Sequence, residues 1–317
     1  MFTPALAVEL REKINSVFYE GRVIPRHTEK QHFYEDVVDG QVYSSVTTKT
    51  GILSRAQYKD IASGIAVDYI QSRMMNLANM SPEEIADMFT KARGEHHVVL
   101  QQAADHGTFG HDIVDRYVQD WMMKGVRAPD IKEFITPEMS NQGICAGLSA
   151  MKFFDEYTVF PVVSEKKVLS KKHGYAGTLD TMFLVGSVYK EREGKKECKH
   201  NWFEKGSDKI ACGLCGRQEV LELILVDLKT SNTIMDKYEY SAQTALYWLA
   251  LKEMCQVNAK RIWILQLDKN QPKYTIGVIP DIKKAVNAGL AIVAVSDFAN
   301  DKSQSIHPLN QKTRITL

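Results

Sequence analysis

The chain has 317 residues, 44% of them hydrophobic, enough for a substantial core in one large domain or two smaller ones. A formal charge of +1 excludes a protein whose overall charge announces a polyanionic partner, so any nucleic-acid surface has to be a local patch. The five cysteines, three of them within residues 198–215, do not form the even set of a disulfide framework and point to metal. In chain order, residues 1–18 read as an amphipathic helix with Leu6, Leu10, Ile14 and Val17 on one face. Glu9 and Glu12 make this neither a secretory signal nor a transit peptide. The chain to about residue 150 reads mainly helical. Residues 58–80 have apolar side chains at helical spacing, and Ser81-Pro82-Glu83-Glu84 is a helix start. A further helix is expected from Thr108 to Met123, opened by GTFGHD.

From Tyr157 the character changes. Residues 157–169, 175–189, 219–229, 261–268 and 274–279 read as strands, rich in Val, Ile, Leu and aromatics. A strong helix over 238–254 crosses between the third and the fourth, and another over 281–298 closes the series. The fold class expected is α/β, a sheet flanked by helices with the helical first part packed on it. The apolar run AGLAIVAV, 288–295, is far short of the roughly 20 residues that span a bilayer. A soluble protein without membrane contact, in the cytoplasm, is the expectation.

Residues 223–231, LILVDLKTS, carry the first chemical signal. Alternation places Leu223, Leu225, Asp227 and Lys229 on one face and Ile224, Val226 and Leu228 on the other. Both faces are apolar until Asp227, as in a central strand covered on both sides. The charges at its end are either a surface ion pair where the strand leaves the core or the lining of a cleft. Asp180, in GYAGTLDTMFLV, precedes another apolar strand. Two acids on neighbouring strands can hold Mg²⁺, which prefers oxygen ligands and substrate phosphate. A lysine two residues from one of them can position a water or offset phosphate charge without being a ligand. On the helix that follows, Gln243 and Tyr247 are four apart and share a face, turned toward a phosphate or Lys229, unless Tyr247 is simply a half-buried aromatic.

Gly177-x-x-Asp180, Asp227-x-Lys229 and Gln243-x-x-x-Tyr247 together resemble the PD-(D/E)XK nuclease superfamily, in particular its RecB-like exonuclease branch. Gly107-Thr108-Phe109-Gly110-His111, with Asp115 four residues on, looks like the G-T-x-x-H-x-x-x-(E/D) motif of that branch. Tyr43-Ser44-Ser45-Val46-Thr47 is similar to the S-V-T segment of phage exonucleases and of mitochondrial genome maintenance exonuclease. The resemblance runs from about residue 43 to 280, with the motifs in the family's order; the proline that the family often has before its first acid is replaced by Leu179. It implies a restriction-endonuclease-like core with a central mixed sheet. Residues 106–317 would form the nuclease core and 1–105 a mainly helical region packed on it. Asp180, Asp227, His111 and the Leu228 carbonyl would hold one or two Mg²⁺ or Mn²⁺ ions, Lys229 would be the catalytic lysine, and Glu165 matches an acidic position of many relatives. Gln243, Tyr247, Thr230, Ser231, Lys171 and Lys172 are the candidate substrate contacts; for the two lysines a solvated charged loop is the alternative.

Residues 190–220 form an insertion between the two acidic strands. Cys198-x-His200 and Cys212-x-x-Cys215 supply soft ligands in two close pairs, which suits tetrahedral, structural Zn²⁺ at a hairpin tip beside the active site. Incidental cysteines and an iron–sulfur cluster are the alternatives. Cys145 and Cys255 read as buried thiols. The expected function is a metal-dependent deoxyribonuclease, an exonuclease acting on DNA with a free end in replication, recombination or repair, with proteins of those processes as possible partners. A phage origin would place it in the host cytoplasm. The competing classes are a non-catalytic nucleic-acid-binding module of the same fold and a structure-specific endonuclease.

Overall fold

The computed structural model describes residues 2–27, 32–53, 55–186, 198, 200–301 and 303. The described elements run α1 (Ala5–Val17), β1 (Val23–His27), β2 (His32–Asp36), β3 (Gln41–Ser45), α2 (Val46–Thr50), α3 (Arg55–Gln71), α4 (Pro82–Lys124) and α5 (Asn141–Glu156). They continue with β4 (Val159–Ser170), β5 (Tyr175–Val185), β6 (Trp202–Glu204), β7 (Lys209–Cys212), β8 (Gln218–Val220) and β9 (Glu222–Lys229). The last are α6 (Tyr238–Cys255), β10 (Arg261–Leu267), β11 (Tyr274–Val278) and α7 (Ile282–Asn300). The chain is α/β, with a mixed central sheet flanked by helices.

The sheet follows the order β1-β2-β3-β5-β9-β10-β11, with β4 paired to β5 off this path. β9 and β10 are parallel, joined by the α6 crossover that parallel strands require; β5 and β9 are antiparallel. One face buries Ala7 and Ile14 of α1, Phe18 just after it, Ala245, Leu246 and Leu251 of α6 and Val286 and Val293 of α7 against Leu223 and Leu225 of β9. The other face packs Ile113, Val114, Tyr117 and Val118 of α4 and Phe153 and Phe154 of α5 against Ile224, Val226 and Leu228. The apolar alternation of residues 223–228 is therefore split between two cores.

Three readings change. The N-terminal region holds more than helices packed on the core: β1, β2 and β3 extend the central sheet, β3 joining it parallel to β5 through Ser44↔Tyr175 and Ser45↔Ala176. Their alternation is too polar to stand out as strands, since only Asp36, Val23, Tyr43 and Ser45 become buried there. Second, GTFGHD does not open a helix. It lies inside α4, which starts at the expected Ser81 cap, a capping box with Glu84, so a boundary at residue 105 falls within one continuous helix of about 65 Å. Tertiary contacts override the cost of its internal glycines, as described below. Third, the insertion is not beside the acidic strand ends. It leaves β5 after Val185 and re-enters β9 before Glu222, five residues beyond Asp180 and Asp227, or about 17 Å along the strands. Residues 187–189 of the expected strand 175–189, 190–197 and 199 of the insertion, and 302 and 304–317 of the expected core, lie outside the described residues. Among the described residues no helix is long and apolar enough to cross a membrane.

Candidate active site and metal centre

The architecture of the site follows from how the strands share β5. β4 pairs along the whole of one edge of β5, so β3 and β9 must both use the other. β3 occupies that edge at Tyr175–Ala176 and β9 at Thr181–Val185, leaving 177–180 without a strand partner on that edge, while β4 pairs them on the other. Asp180 stands at the end of this gap, opposite Asp227 in register but just past the last paired residues, Thr181↔Val226. Its Oδ2 accepts a hydrogen bond from the Leu228 amide at 2.6 Å, so a carboxylate replaces the missing ladder bond. Asp227 is 2% exposed and ion-paired with Lys229. The Lys229 ammonium lies 5.1 Å from the centroid of the Tyr240 ring, a cation–π contact.

His111 arrives from the opposite face of the sheet. α4 can approach because its glycines have no side chain: a Cβ at Gly107 would lie 2.9 Å from Thr230 Oγ1, and one at Gly110 would lie 2.9 Å from Cβ of Ala146 on α5. The motif glycines therefore let α4 settle against the residue after Lys229 and carry His111 to the strand end. His111 Nδ1 is 3.8 Å from Asp180 Oδ1. Glu165, on β4, faces Asp180 in register and adopts φ +45°, in the left-handed region that a side chain disfavours by about 1–2 kcal/mol. One ligand atom each of His111, Glu165 and Asp180 lies within 4.8 Å of the others, an arrangement that could hold a metal ion. Asp115 of α4 stands behind them, accepting a hydrogen bond from Ser164 Oγ at 2.6 Å.

The electrostatics describe a site short of positive charge. Burial, then the neighbouring Asp180 and Asp115 charges, push the Glu165 carboxyl up to about 8. Burial, with the Asp180 charge against the Lys229 counter-charge, raises Asp227 to about 6; burial also raises Asp180, opposed by Lys229 and the Leu228 amide. Burial, then the Lys229 charge, lowers His111 to about 4, leaving a neutral imidazole at pH 7 with a nitrogen free to ligate. For Lys229 burial acts downward, but Asp227 and Asp180 outweigh it and hold the ammonium charged. Acids raised by burial and by each other invite a cation. A prediction follows for Glu165. Its folded pKa lies above the unfolded one, so its contribution to stability is present below about 4.5 and is lost as pH rises through about 8. In EDTA, Glu165→Gln is expected to melt above the wild type at pH 8, with the difference closing toward pH 5. Equal melting curves at both pH values would refute this.

Gln243 Nε2 donates to Tyr247 Oη at 3.1 Å, and Tyr247 is 3% exposed, near enough to Asp227 and Asp180 to feel their charges. Its ring occupies the space over Gly177, where a Cβ would lie 2.6 Å from Cε1. Thr230 contacts α4 as described, while Ser231 Oγ donates to the Thr233 carbonyl in the next turn. Lys171 and Lys172 are not brought to the site. They occupy the β4–β5 turn, about 20 Å along β4 from Glu165, and Lys171 pairs with Asp36 at 3.0 Å and Asp39 at 2.6 Å. Ser45, of the S-V-T segment, caps α2 at the end of β3, where the gap begins. Tyr240, beside Lys229, was missed as a site residue. It lies three before Gln243 on the same helical face, a legible signal.

The second cluster is Cys198, His200, Cys212 and Cys215, whose ligand atoms lie within 4.8 Å of one another and could hold a metal ion. Cys198 Sγ is 3.9 Å from Cys212 Sγ, and Cys215 Sγ is 3.4 Å from His200 Nδ1. A tetrahedron with zinc–sulfur bonds of about 2.3 Å has edges near 3.8 Å, whereas a disulfide would need about 2.05 Å. Burial acts against the Cys212 thiolate, but the Cys215, Leu214 and Asn201 amides, with His200, bring the thiol down to about 5. Trp202 stacks on His200 with centroids 4.6 Å apart. The module, built of β6, β7 and β8, is anchored by Glu219, 2% exposed, which pairs with Arg217 and accepts from Thr158 Oγ1. No family model matches this chain, and no curated protein matches it.

Proposed function

We propose that the chain is a divalent-metal-dependent deoxyribonuclease of the PD-(D/E)XK type, with a restriction-endonuclease-like core, acting on DNA ends. The observation that carries the reading is the convergence on one unpaired stretch of sheet of His111, Glu165, Asp180, Asp227 and Lys229, from four separate elements. Structural ion-pair networks also bury acids, but among the described residues the carboxylates of Glu165, Asp180 and Asp227 are opposed only by Lys229 and, for Glu165, the Lys167 charge, and Glu165 is held in a strained backbone conformation. The donor set of carboxylates and one imidazole fits Mg²⁺ or Mn²⁺, one or two ions, with the imidazole nitrogen favouring Mn²⁺. When bound, such an ion supplies an activated water and stabilises charge on the phosphodiester.

The residues divide the remaining work. Asp180, His111 and Glu165 would hold the ion and Asp227 would join them, while Asp227 sets the position of Lys229 and the Leu228 carbonyl stands beside His111. Lys229 holds its proton and offsets negative charge at the attacked phosphate. Gln243 and Tyr247 orient the strand. In the second cluster Zn²⁺ would be structural, with all four positions filled by protein and no open site for substrate. The intracellular setting, the replication or recombination partners and the phage origin that the resemblance implies belong to the same proposal.

The test is digestion of end-labelled single-stranded, duplex and covalently closed circular DNA with Mg²⁺ or Mn²⁺ against EDTA. Metal-dependent loss of the linear substrates alone is the expected result. Cutting of the closed circle would replace the exonuclease reading by an endonuclease, and DNA binding without cutting would leave a binding module.

A further inference from the structure

The open edge of β5 is closed at one end by the Asp180–Leu228 bond and at the other by a residue from the N-terminal hairpin. Tyr34, half-buried on β2, reaches past the end of β3 and places its hydroxyl 3.1 Å from Thr178 Oγ1. Thr178 is two residues before Asp180 and inside the stretch that neither β3 nor β9 pairs. Either hydroxyl can donate in this contact, and with Thr178 as the donor the phenol oxygen accepts. A tyrosine whose oxygen accepts from behind keeps its own hydrogen to donate. Among the described residues that hydrogen has no acceptor other than Thr178. Thr178 and Asp180 are two apart on β5 and share one face, so the phenol stands on the side of the strand that carries the Asp180 carboxylate. Tyr247 repeats the arrangement, its oxygen accepting from Gln243 while its hydrogen remains available.

The gap therefore has one wall of carboxylates, histidine and lysine and another of neutral hydroxyl donors. The hydroxyl wall carries no negative charge to hold a second cation, whereas its hydrogens suit an anion. In a DNA strand whose scissile phosphate meets the carboxylate wall the next anion is the neighbouring phosphate.

Building on the nuclease reading, we propose that Tyr34 is a substrate-contacting residue whose phenolic O–H donates a hydrogen bond to the phosphate adjacent to the scissile one. A neutral donor to a charged acceptor contributes about tenfold in affinity. It does so without adding a fixed charge that would repel the metal.

The experiment compares wild type and Tyr34→Phe, which keeps the ring and removes only the O–H. Binding of a labelled oligodeoxynucleotide is measured in Ca²⁺ and cleavage in Mn²⁺, with native strands and with strands carrying a neutral methylphosphonate at one position at a time. Tyr34→Phe is expected to weaken binding and raise KM about tenfold with kcat within twofold of wild type. At one methylphosphonate position the wild type should lose the same factor and the variant nothing more. Native-like binding and cleavage by Tyr34→Phe overturn the proposal, as does a loss that adds to that of every methylphosphonate. A tenfold loss in kcat at unchanged KM also overturns it, because a phosphate contact acts on binding. If the wild type neither binds nor cuts any strand, the nuclease reading falls and this inference with it. If the wild type cuts and Tyr34→Phe matches it, only the role of Tyr34 falls.

Discussion

Replacing Asp180 by alanine is expected to abolish metal-dependent DNA cleavage, by on the order of a thousandfold or more, in a protein that still folds. The side chain is 14% exposed and serves Leu228 rather than a packed core, so its removal leaves one amide facing an open gap. It also removes a charge that pushes Glu165 and Asp227 upward, which offsets that cost. Melting in EDTA should therefore stay close to that of the wild type, while the stabilisation by Mn²⁺ disappears. Lys229→Ala separates the roles. Cleavage should fall on the order of a hundredfold or more, yet Mn²⁺ binding should persist, since the variant loses a cation beside the carboxylates. Isothermal titration with Mn²⁺ and single-turnover cleavage check both. An Asp180→Ala protein cutting at the wild-type rate would sink the assignment.

Cys212→Ser should bring zinc from about one equivalent per chain to none by metal analysis, and should expose the insertion to proteases. Three short strands cannot bury enough to fold alone, and in small zinc domains apparent metal binding of about 10–16 kcal/mol is the folding energy. The Cys212 sulfur is the one that the backbone amides prepare as a thiolate, so its loss removes the anchor of the set. Because the module sits about 17 Å from Asp180 along β5, Mn²⁺ binding at the acidic site should survive the substitution. Full zinc content in Cys212→Ser would exclude the cluster as the zinc site. Loss of Mn²⁺ binding in the same protein would show instead that the two sites are coupled through the strands.

Much of this was legible in the residues because it is local. The run from Leu223 to Lys229 declares a strand buried on both faces with charges at one end, and alternation alone assigns its side chains to two cores. Cys198-x-His200 and Cys212-x-x-Cys215 declare a ligand set, because such pairs need only short turns to bring their donors together. The Ser81 capping box and the crossover helix between β9 and β10 are likewise local or nearest-neighbour features.

What the chain's local pattern did not determine depends on which edges and faces meet. β2 and β3 are short and largely polar, so neither burial nor periodicity distinguishes them until the sheet supplies pairing partners. GTFGHD carries two glycines that by propensity end or open a helix; α4 runs through them because Thr230 and Ala146 need the space. The insertion's place at the far end of β5 and β9 follows from their antiparallel pairing, which puts the chain's exit from one strand beside its entry to the other and away from both acids. The residues named the chemistry. Only the competition of β3 and β9 for one edge of β5 left the gap in which Asp180, Glu165 and His111 can meet, because a strand edge that is fully paired has no room for side chains from three elements.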